Sequence, residues 1–259
     1  ETKTGIRNIF AFKKIIKDYP HAPGVNCAAT STANILKYLC GLDISEDMVF
    51  GLGNGIFFDY YRDWKDESPD QSITLHISGM TLCVPFALEA LGIRYKVIRI
   101  LENGEVRVTS DLESLRVSKV VKDRKKALFA DIKEKLRRNI PILFLADGYY
   151  LRVFPDHFGL HHSVVIGYDE ARGIVYLADS TRDGIYPVNK EDFYKSRISE
   201  ETFVPPLCAW FEYEAPKNPR FESVSKHRKV QPTGERIRRL IAEPDRAGQY
   251  LWNLHAFYL

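Results

Sequence analysis

Residues 22–41 have the sequence APGVNCAATSTANILKYLCG, in which a loop rich in Pro and Gly is followed by a helical pattern. Apolar residues recur there at the spacing of one helix face, Asn26 is a favourable N-cap, and Gly41 is a favourable residue after the last turn. The pattern therefore predicts a helix that begins at Cys27.

The position of Cys27 favours a reactive thiol. Free N–H groups and the positive end of the helix dipole stabilise a thiolate, which is the nucleophilic form of cysteine. An isolated cysteine is more often a small buried apolar residue, so the nucleophile hypothesis requires a nearby base.

Composition predicts an ordinary globular chain. The 259 residues are 45% hydrophobic, and 37 basic against 34 acidic residues leave a net charge of only +3, which argues against a general nucleic-acid binder. Four cysteines without a C-x-x-C pair favour a reducing, cytoplasmic location. The sequence has neither an 18-residue apolar run nor a signal-peptide core at its start, so we expect a soluble protein without a membrane partner.

The predicted elements indicate an α+β fold. After the first helix come a short helix at residues 83–92, a hairpin around the Asn103-Gly104 turn, a charged helix within residues 111–139, and the apolar strand PILFLA. Two strands joined at residues 170–173, a short helix in NKEDFYKSR and the strand PLCAWFEYEA follow. We expect a catalytic domain at residues 1–215 and a charged, mostly helical segment at 216–259.

Two further residues complete a candidate catalytic triad with Cys27. His162 stands about 135 residues after Cys27 in the apolar strand HSVVIGYD, and Asp179 ends the strand that pairs back across the turn. A hairpin can place Asp179 beside His162, and the order Cys, His, polar residue is that of papain-like enzymes. His161, on the opposite face of the strand, is the alternative base.

Several segments together resemble a known family. GVNCAATSTANILKYLCG, GLGNGIFF, PILFLADGYYL, HHSVVIGYD and VYLADS followed by YPVNKEDFYKSR are similar, in that order, to the N-terminal domain of butirosin biosynthesis protein H. The likeness covers about residues 20–215. It implies a papain-like fold with an antiparallel sheet, and Cys27, His162 and Asp179 as the triad. The tail after Pro216 resembles the start of the family's helical second domain.

The resemblance implies an acyltransferase. A member of this family moves an acyl group from the phosphopantetheine thioester of a carrier protein onto an amine, so we expect an acyl or peptidyl carrier protein and an amine as partners and no cofactor of the enzyme's own. Closthioamide assembly, where acyl chains are joined to a diamine, is a narrower hypothesis. The alternatives are a cysteine peptidase or amidase with the same triad, and an inactive module that only binds a carrier protein.

Other residues are candidates for substrate contacts. The family often has His before the cysteine, and papain-like peptidases have Gln six residues before it. This chain has Asn26 and His21 at these positions, so either could donate the second oxyanion hydrogen bond. Candidates for a substrate pocket are Asp147, Tyr149, Tyr150 and Asp59.

Two basic clusters, KDRKK with KEKLRR and KHRK with ERIRR, are either solvated helix faces or a docking surface for an acidic carrier protein. The histidines show no metal-ligand spacing, so no metal is expected. Motifs that read bases or stack on them are absent from the sequence, and we expect no nucleic-acid partner.

Overall fold

The computed structural model describes residues 11–53, 58–61, 74–77, 83–103, 116–159, 161–202 and 206–214. The described helices are α1 (Cys27–Cys40), α2 (Glu46–Leu52), α3 (Cys83–Ala90), α4 (Arg124–Arg137) and α5 (Lys190–Ile198). The described strands are β1 (Lys13–Ile15), β2 (Phe58–Tyr61), β3 (Thr74–Ile77), β4 (Arg94–Glu102), β5 (Arg116–Val121), β6 (Ile142–Ala146), β7 (His161–Asp169), β8 (Ile174–Ala178), β9 (Ile185–Asn189) and β10 (Ala209–Glu214). The α+β class is confirmed.

Most strands belong to one sheet with the order β5-β4-β10-β6-β7-β8-β9, and β1 pairs with β7. Every residue of β6 and β7 is buried, because α1, α4 and α5 pack against these central strands. Both faces of the centre are thus covered, which is why HHSVVIGYD carries apolar residues at consecutive positions. Strands β2 and β3 form a separate two-stranded sheet.

The structure confirms the predicted limits of α1. The Asn26 side chain accepts a hydrogen bond from the N–H of Ala29, and Gly41 adopts a left-handed conformation with φ of 65°. The N–H of Gly41 donates hydrogen bonds to the carbonyls of Leu36 and Lys37 in the last turn, as expected for a helix C-terminus. Residues 28–36 are all buried, so the helix enters the interior directly after Cys27.

Two expectations about the middle of the chain are wrong. Residues 116–121, which belong to the predicted charged helix, form strand β5, and helix α4 starts only after its N-cap Asp123. The sheet is mixed rather than antiparallel, because β5 pairs in parallel with β4. The alternation and the valines of RVSKVV suit an edge strand, whereas the charged residues that suggested a helix are concentrated after it.

A β-bulge at Ile166 changes the register of the central hairpin. Near the turn, Gly167 pairs with Tyr176, but Val165 pairs with Leu177 and Val164 with Ala178, so Ile166 is an extra residue on β7. One extra residue exchanges the two faces of the strand relative to its partner. Asp179, the residue after Ala178, therefore lies on the same face of the sheet as Ser163 and His161, and not on the face of Val164 and His162.

The predicted C-terminal segment at 216–259, and with it the boundary between the two expected domains, lies outside the described residues, as does most of the predicted hairpin after Asn103. Asp59 belongs to β2, and its side chain is likewise outside the described part of the chain.

Candidate active site

Cys27 is held by a loop that two other elements fix in place. Glu46 at the start of α2 accepts hydrogen bonds from the backbone N–H of Val25 at 3.2 Å and from that of Asn26. The N–H of Gly24 donates to the carbonyl of Ser180 at 2.9 Å. The start of α1 is thereby tied directly to the residue that follows Asp179.

Gly24 is required by the close packing of this loop. A Cβ atom at this position would lie 2.2 Å from Oε2 of Glu46 and 2.3 Å from Oγ1 of Thr30. Because Glu46 also binds the next two N–H groups and Thr30 is buried, neither neighbour can move away freely. Gly24 is therefore part of the scaffold that positions Cys27.

A buried His–Asp pair lies at the start of β7. Nε2 of His161 is 2.6 Å from Oδ2 of Asp179, and both side chains are fully buried. The other carboxylate oxygen of Asp179 accepts hydrogen bonds from Oγ1 and the backbone N–H of Thr181, at 2.7 and 3.1 Å. Asp179 is thus fixed on both oxygens, and Nδ1 of His161 remains available on the other side of the ring.

The predicted pairing of Asp179 with His162 is wrong, because the structure pairs Asp179 with His161. The physical reason is the bulge at Ile166, which places Asp179 on the face of His161. Without that extra residue, the register set at the turn would have placed Asp179 with Val164 and His162. A glycine inside a strand is a known signal for a bulge, and Gly167 was the signal available in the sequence.

Cys27 and His161 form a pair with opposed pKa shifts. Burial raises the pKa of Cys27, but its interactions with the nearby imidazoles of His161 and His162 outweigh this effect and lower it to about 5. Burial lowers the pKa of His161, whereas Asp179 and Cys27 raise it to about 9. Cys27 remains partly exposed. The arrangement therefore favours an accessible thiolate beside an imidazolium between about pH 5 and pH 9.

His162 is also near the thiol, although it is not the partner of Asp179. Its side chain is buried and interacts with Cys27, and its ring lies 6.0 Å from that of Phe211. Two histidines therefore act on one thiol, and His161 is the one that Asp179 orients.

The two candidate oxyanion donors have other roles in the structure. Nε2 of His21 lies 2.9 Å from the carbonyl of Arg182, which requires a proton on that nitrogen. The side-chain oxygen of Asn26 caps α1, and a role of His21 or of the Asn26 amide nitrogen as oxyanion donor stays a prediction. The backbone N–H groups at the start of α1 remain the better candidates, since they need no particular side chain.

The candidate pocket residues lie in a loop close to the His–Asp pair. Asp147 is fully buried, and its carboxylate binds Ser199, His157 and two backbone N–H groups, so its oxygens are used inside the protein. Tyr149 is 45% exposed, and its ring packs against that of His157 at a tilt of 38°, with centroids 4.3 Å apart. Tyr150 donates a hydrogen bond to Glu201. A substrate-binding role for Asp147, Tyr149 and Tyr150 stays a prediction.

Sequence reasoning missed three residues that shape the site: Glu46, His157 and Phe154. The ring of Phe154 lies perpendicular to that of His161, with centroids 5.0 Å apart. Among the described residues, no cluster of His, Cys, Asp and Glu has the arrangement of a metal site. Helices in the described part of the chain lack the combination of length and apolar character that a membrane span needs.

Comparisons with known proteins found a matching family model and similar solved structures. Residues 107–180 match the family model described as butirosin biosynthesis protein H, N-terminal, a range that includes His161 and Asp179 but not Cys27. Among solved structures, a protein titled a C39-like peptidase from Bacillus anthracis is similar at 14% sequence identity and a TM-score of 0.44, over 79% of this chain and 98% of that chain. None of the curated proteins matches the chain.

Proposed function

We propose that this protein is a cysteine acyltransferase that forms an amide, moving an acyl or peptidyl group from the phosphopantetheine thioester of a carrier protein to an amine. The observation that carries the proposal is the constellation of Cys27 at a helix start, His161 beside it and Asp179 fixing His161. In this proposal His161, and not His162, is the catalytic base.

The first step is acylation of the enzyme. The thiolate of Cys27 attacks the thioester carbonyl, and the oxyanion that forms is held by N–H groups at the start of α1. The bond to the pantetheine sulfur then breaks, and the imidazolium of His161 gives its proton to the departing thiolate. A covalent acyl-enzyme and a free pantetheine thiol result.

The second step is transfer to the amine. Neutral His161 accepts a proton from the amine as it attacks the acyl-enzyme, and the thiolate of Cys27 leaves. The products are an amide and the enzyme in its starting state, with Asp179 orienting the ring throughout. Water in place of the amine would give hydrolysis, so the acceptor site must exclude it.

Two observations support a cysteine enzyme of specialised-metabolite biosynthesis. The site supplies a nucleophile, a base and a carboxylate in the roles that acyl transfer needs. The stretch that contains His161 and Asp179 also matches a family model named for butirosin biosynthesis. A diamine acceptor, as in the closthioamide hypothesis, is the narrower form of the proposal.

Intact-protein mass spectrometry tests this function. The protein is mixed with a carrier protein that bears butyryl-phosphopantetheine, and a panel of monoamines and diamines is then added. We expect a butyryl adduct on the wild type, no adduct on Cys27→Ala, and release of a butyramide when a suitable amine is present. Release of butyric acid alone would show a hydrolase, and carrier binding without an adduct would show a binding module.

A further inference from the structure

A second polar network, centred on the buried carboxylate of Asp147, holds the loop between β6 and β7. Oδ1 of Asp147 accepts the backbone N–H groups of Tyr149 and Phe158, each at 3.1 Å. Oδ2 of Asp147 is 2.7 Å from Oγ of Ser199 and 2.7 Å from Nδ1 of His157. One carboxylate therefore binds both ends of the loop and the segment after α5.

His157 bridges two carboxylates. Its Nδ1 faces Asp147, and its Nε2 lies 2.6 Å from Oε2 of Glu201. A carboxylate oxygen can only accept, so each ring nitrogen must carry a proton for both hydrogen bonds to exist. The geometry therefore belongs to the imidazolium form of His157, and a neutral ring would lose one of the two bonds.

The same loop places Phe154 next to His161 in the candidate active site. The ring of Phe154 lies edge-on to that of His161, and its centroid is 5.3 Å from that of Phe158. Gly148 lies so close to Phe154 that a Cβ atom there would come within 2.3 Å of the ring. The N–H of Gly148 also donates to the carbonyl of Phe158 at 2.9 Å. The position of Phe154 thus depends on how the loop is closed.

We propose that His157 is a positioning residue, whose imidazolium clamps Asp147 to Glu201 so that the loop holds Phe154 against His161. This inference rests on the proposed function, because it assigns the clamp to the orientation of the catalytic imidazole. Loss of the clamp frees Phe154 and lets the ring of His161 leave the orientation that serves Cys27.

The charges around His157 favour its protonated form. Its pKa is raised, chiefly by the hydrogen bond to Asp147 and further by the charges of Asp147, Glu201 and Asp156, against the opposite effect of burial. In the described structure, the carboxylates of Asp147, Glu201 and Asp156 face His157. The rings of Tyr149 and Tyr150 also pack against it, and the Lys195 ammonium lies over the ring of Tyr150.

The sign of the pH dependence follows from that raised pKa. The clamp is complete at pH values below the ordinary imidazole pKa, and it is lost as the pH rises through the raised value. Glu201→Gln keeps an oxygen that can accept from Nε2 but removes one negative charge, so the clamp should open at lower pH than in the wild type.

The test compares full-length wild type, Glu201→Gln and His157→Gln, with Glu200→Gln as the matched control that removes the same charge from the neighbouring exposed position. Imidazole NMR signals of His157 and His161 are followed against pH, together with single-turnover acylation of Cys27 by butyryl-phosphopantetheine carrier protein. Alkylation of Cys27 by iodoacetamide gives a readout that needs no acyl transfer.

We expect the His161 signals to change as His157 titrates, and the change to occur at lower pH in Glu201→Gln but not in Glu200→Gln. His157→Gln should lower the single-turnover rate at saturating carrier protein about 10- to 100-fold and leave the half-saturating carrier concentration unchanged, as misplacement of a reacting group does. The clamp would be overturned if the NMR signals of His161 did not change as His157 titrates. It would also be overturned if Glu201→Gln and Glu200→Gln gave equal pH profiles. Absence of acyl transfer with normal alkylation would instead overturn the proposed function alone.

Discussion

At the scale of single residues, the thiol of Cys27 is set apart from the other described cysteines by its neighbours. His161 and His162 lower its pKa to about 5, whereas burial alone raises the pKa of Cys40. Cys208 is fully buried. Selective chemistry at Cys27 therefore follows from the two imidazoles and from its partial exposure.

Alkylation should report this difference directly. We expect iodoacetamide to label wild-type protein at pH 6 on Cys27, since the thiolate persists down to about pH 5, while Cys40 should react only near or above its ordinary thiol pKa. Peptide mass spectrometry after timed labelling measures both sites. Cys40→Ser is the matched control and should label as the wild type does; rapid labelling of Cys27→Ala at pH 6 would contradict the prediction.

The two neighbouring histidines should differ in their effect on transfer. His161→Ala removes the ring that Asp179 orients, so we expect single-turnover acylation to fall by about 10³-fold or more. His162→Ala removes one of two interactions that lower the pKa of Cys27. It should move the acid limb of the pH profile upward and leave the maximum within about tenfold of the wild type.

Stopped-flow acylation at several pH values separates these effects, once circular dichroism shows that both variants are folded. If folded His161→Ala transfers normally while His162→Ala is inactive, the assignment of the base is wrong. The pairing with Asp179 would then be structural.

At the scale of elements, the start of α1 depends on contacts from α2 and from the segment after β8. Gly24→Ala would force a Cβ atom against Glu46 and Thr30, so we expect a loss of about 1–3 kcal/mol in the free energy of unfolding. The rate at which iodoacetamide alkylates Cys27 should fall as well, because the strained loop leads directly into Cys27.

Gly51→Ala is the matched control for that substitution. Gly51 lies in α2, and a Cβ atom added there would have no neighbouring atom within 4 Å, so alanine should be neutral or stabilise the protein by up to about 1 kcal/mol. Urea unfolding of both variants measures the difference. Equal stabilities for Gly24→Ala and Gly51→Ala would show that the loop can relax around the added methyl group.

At the scale of the whole molecule, stability at low pH should depend on Asp179. Burial opposes ionisation of this carboxylate, but its hydrogen bonds and its charge interaction with His161 lower its pKa from 3.8 to about 2. The unfolded chain therefore binds a proton before the folded protein does. The stabilisation, about 2 kcal/mol, is complete well above pH 3.8 and is lost as the pH falls towards 2.

Asp179→Asn makes this contribution measurable. We expect the variant to be less stable than the wild type at pH 6, and the gap in unfolding free energy to shrink between about pH 4 and pH 2. Urea titrations of both proteins at pH 6 and at pH 3 give the comparison. A gap that stays constant over this range would mean that the ionised carboxylate does not stabilise the folded protein through His161.

Much of the local structure could be predicted from the sequence. The limits of α1 follow from Asn26 and Gly41, whose capping roles depend on neighbours within a few residues. Strands β6, β7, β8 and β10 follow from apolar runs between turn residues, and the α+β class follows from their order. Residues 116–121 were harder to predict, since a strand that pairs in parallel with the preceding strand is joined to it by a crossover and has no local turn signal.

By itself, the sequence determined which residues are the candidates for the chemistry: a cysteine at a helix start, a pair of histidines in a central strand and an aspartate at the end of the next strand. Only the tertiary structure decided which histidine faces the aspartate. The choice depends on whether one residue, Ile166, is accommodated as a bulge, and a shift of one residue exchanges the two faces of a strand. The clamp of Asp147, His157 and Glu201 was likewise decided by folding, because its members come from separate segments.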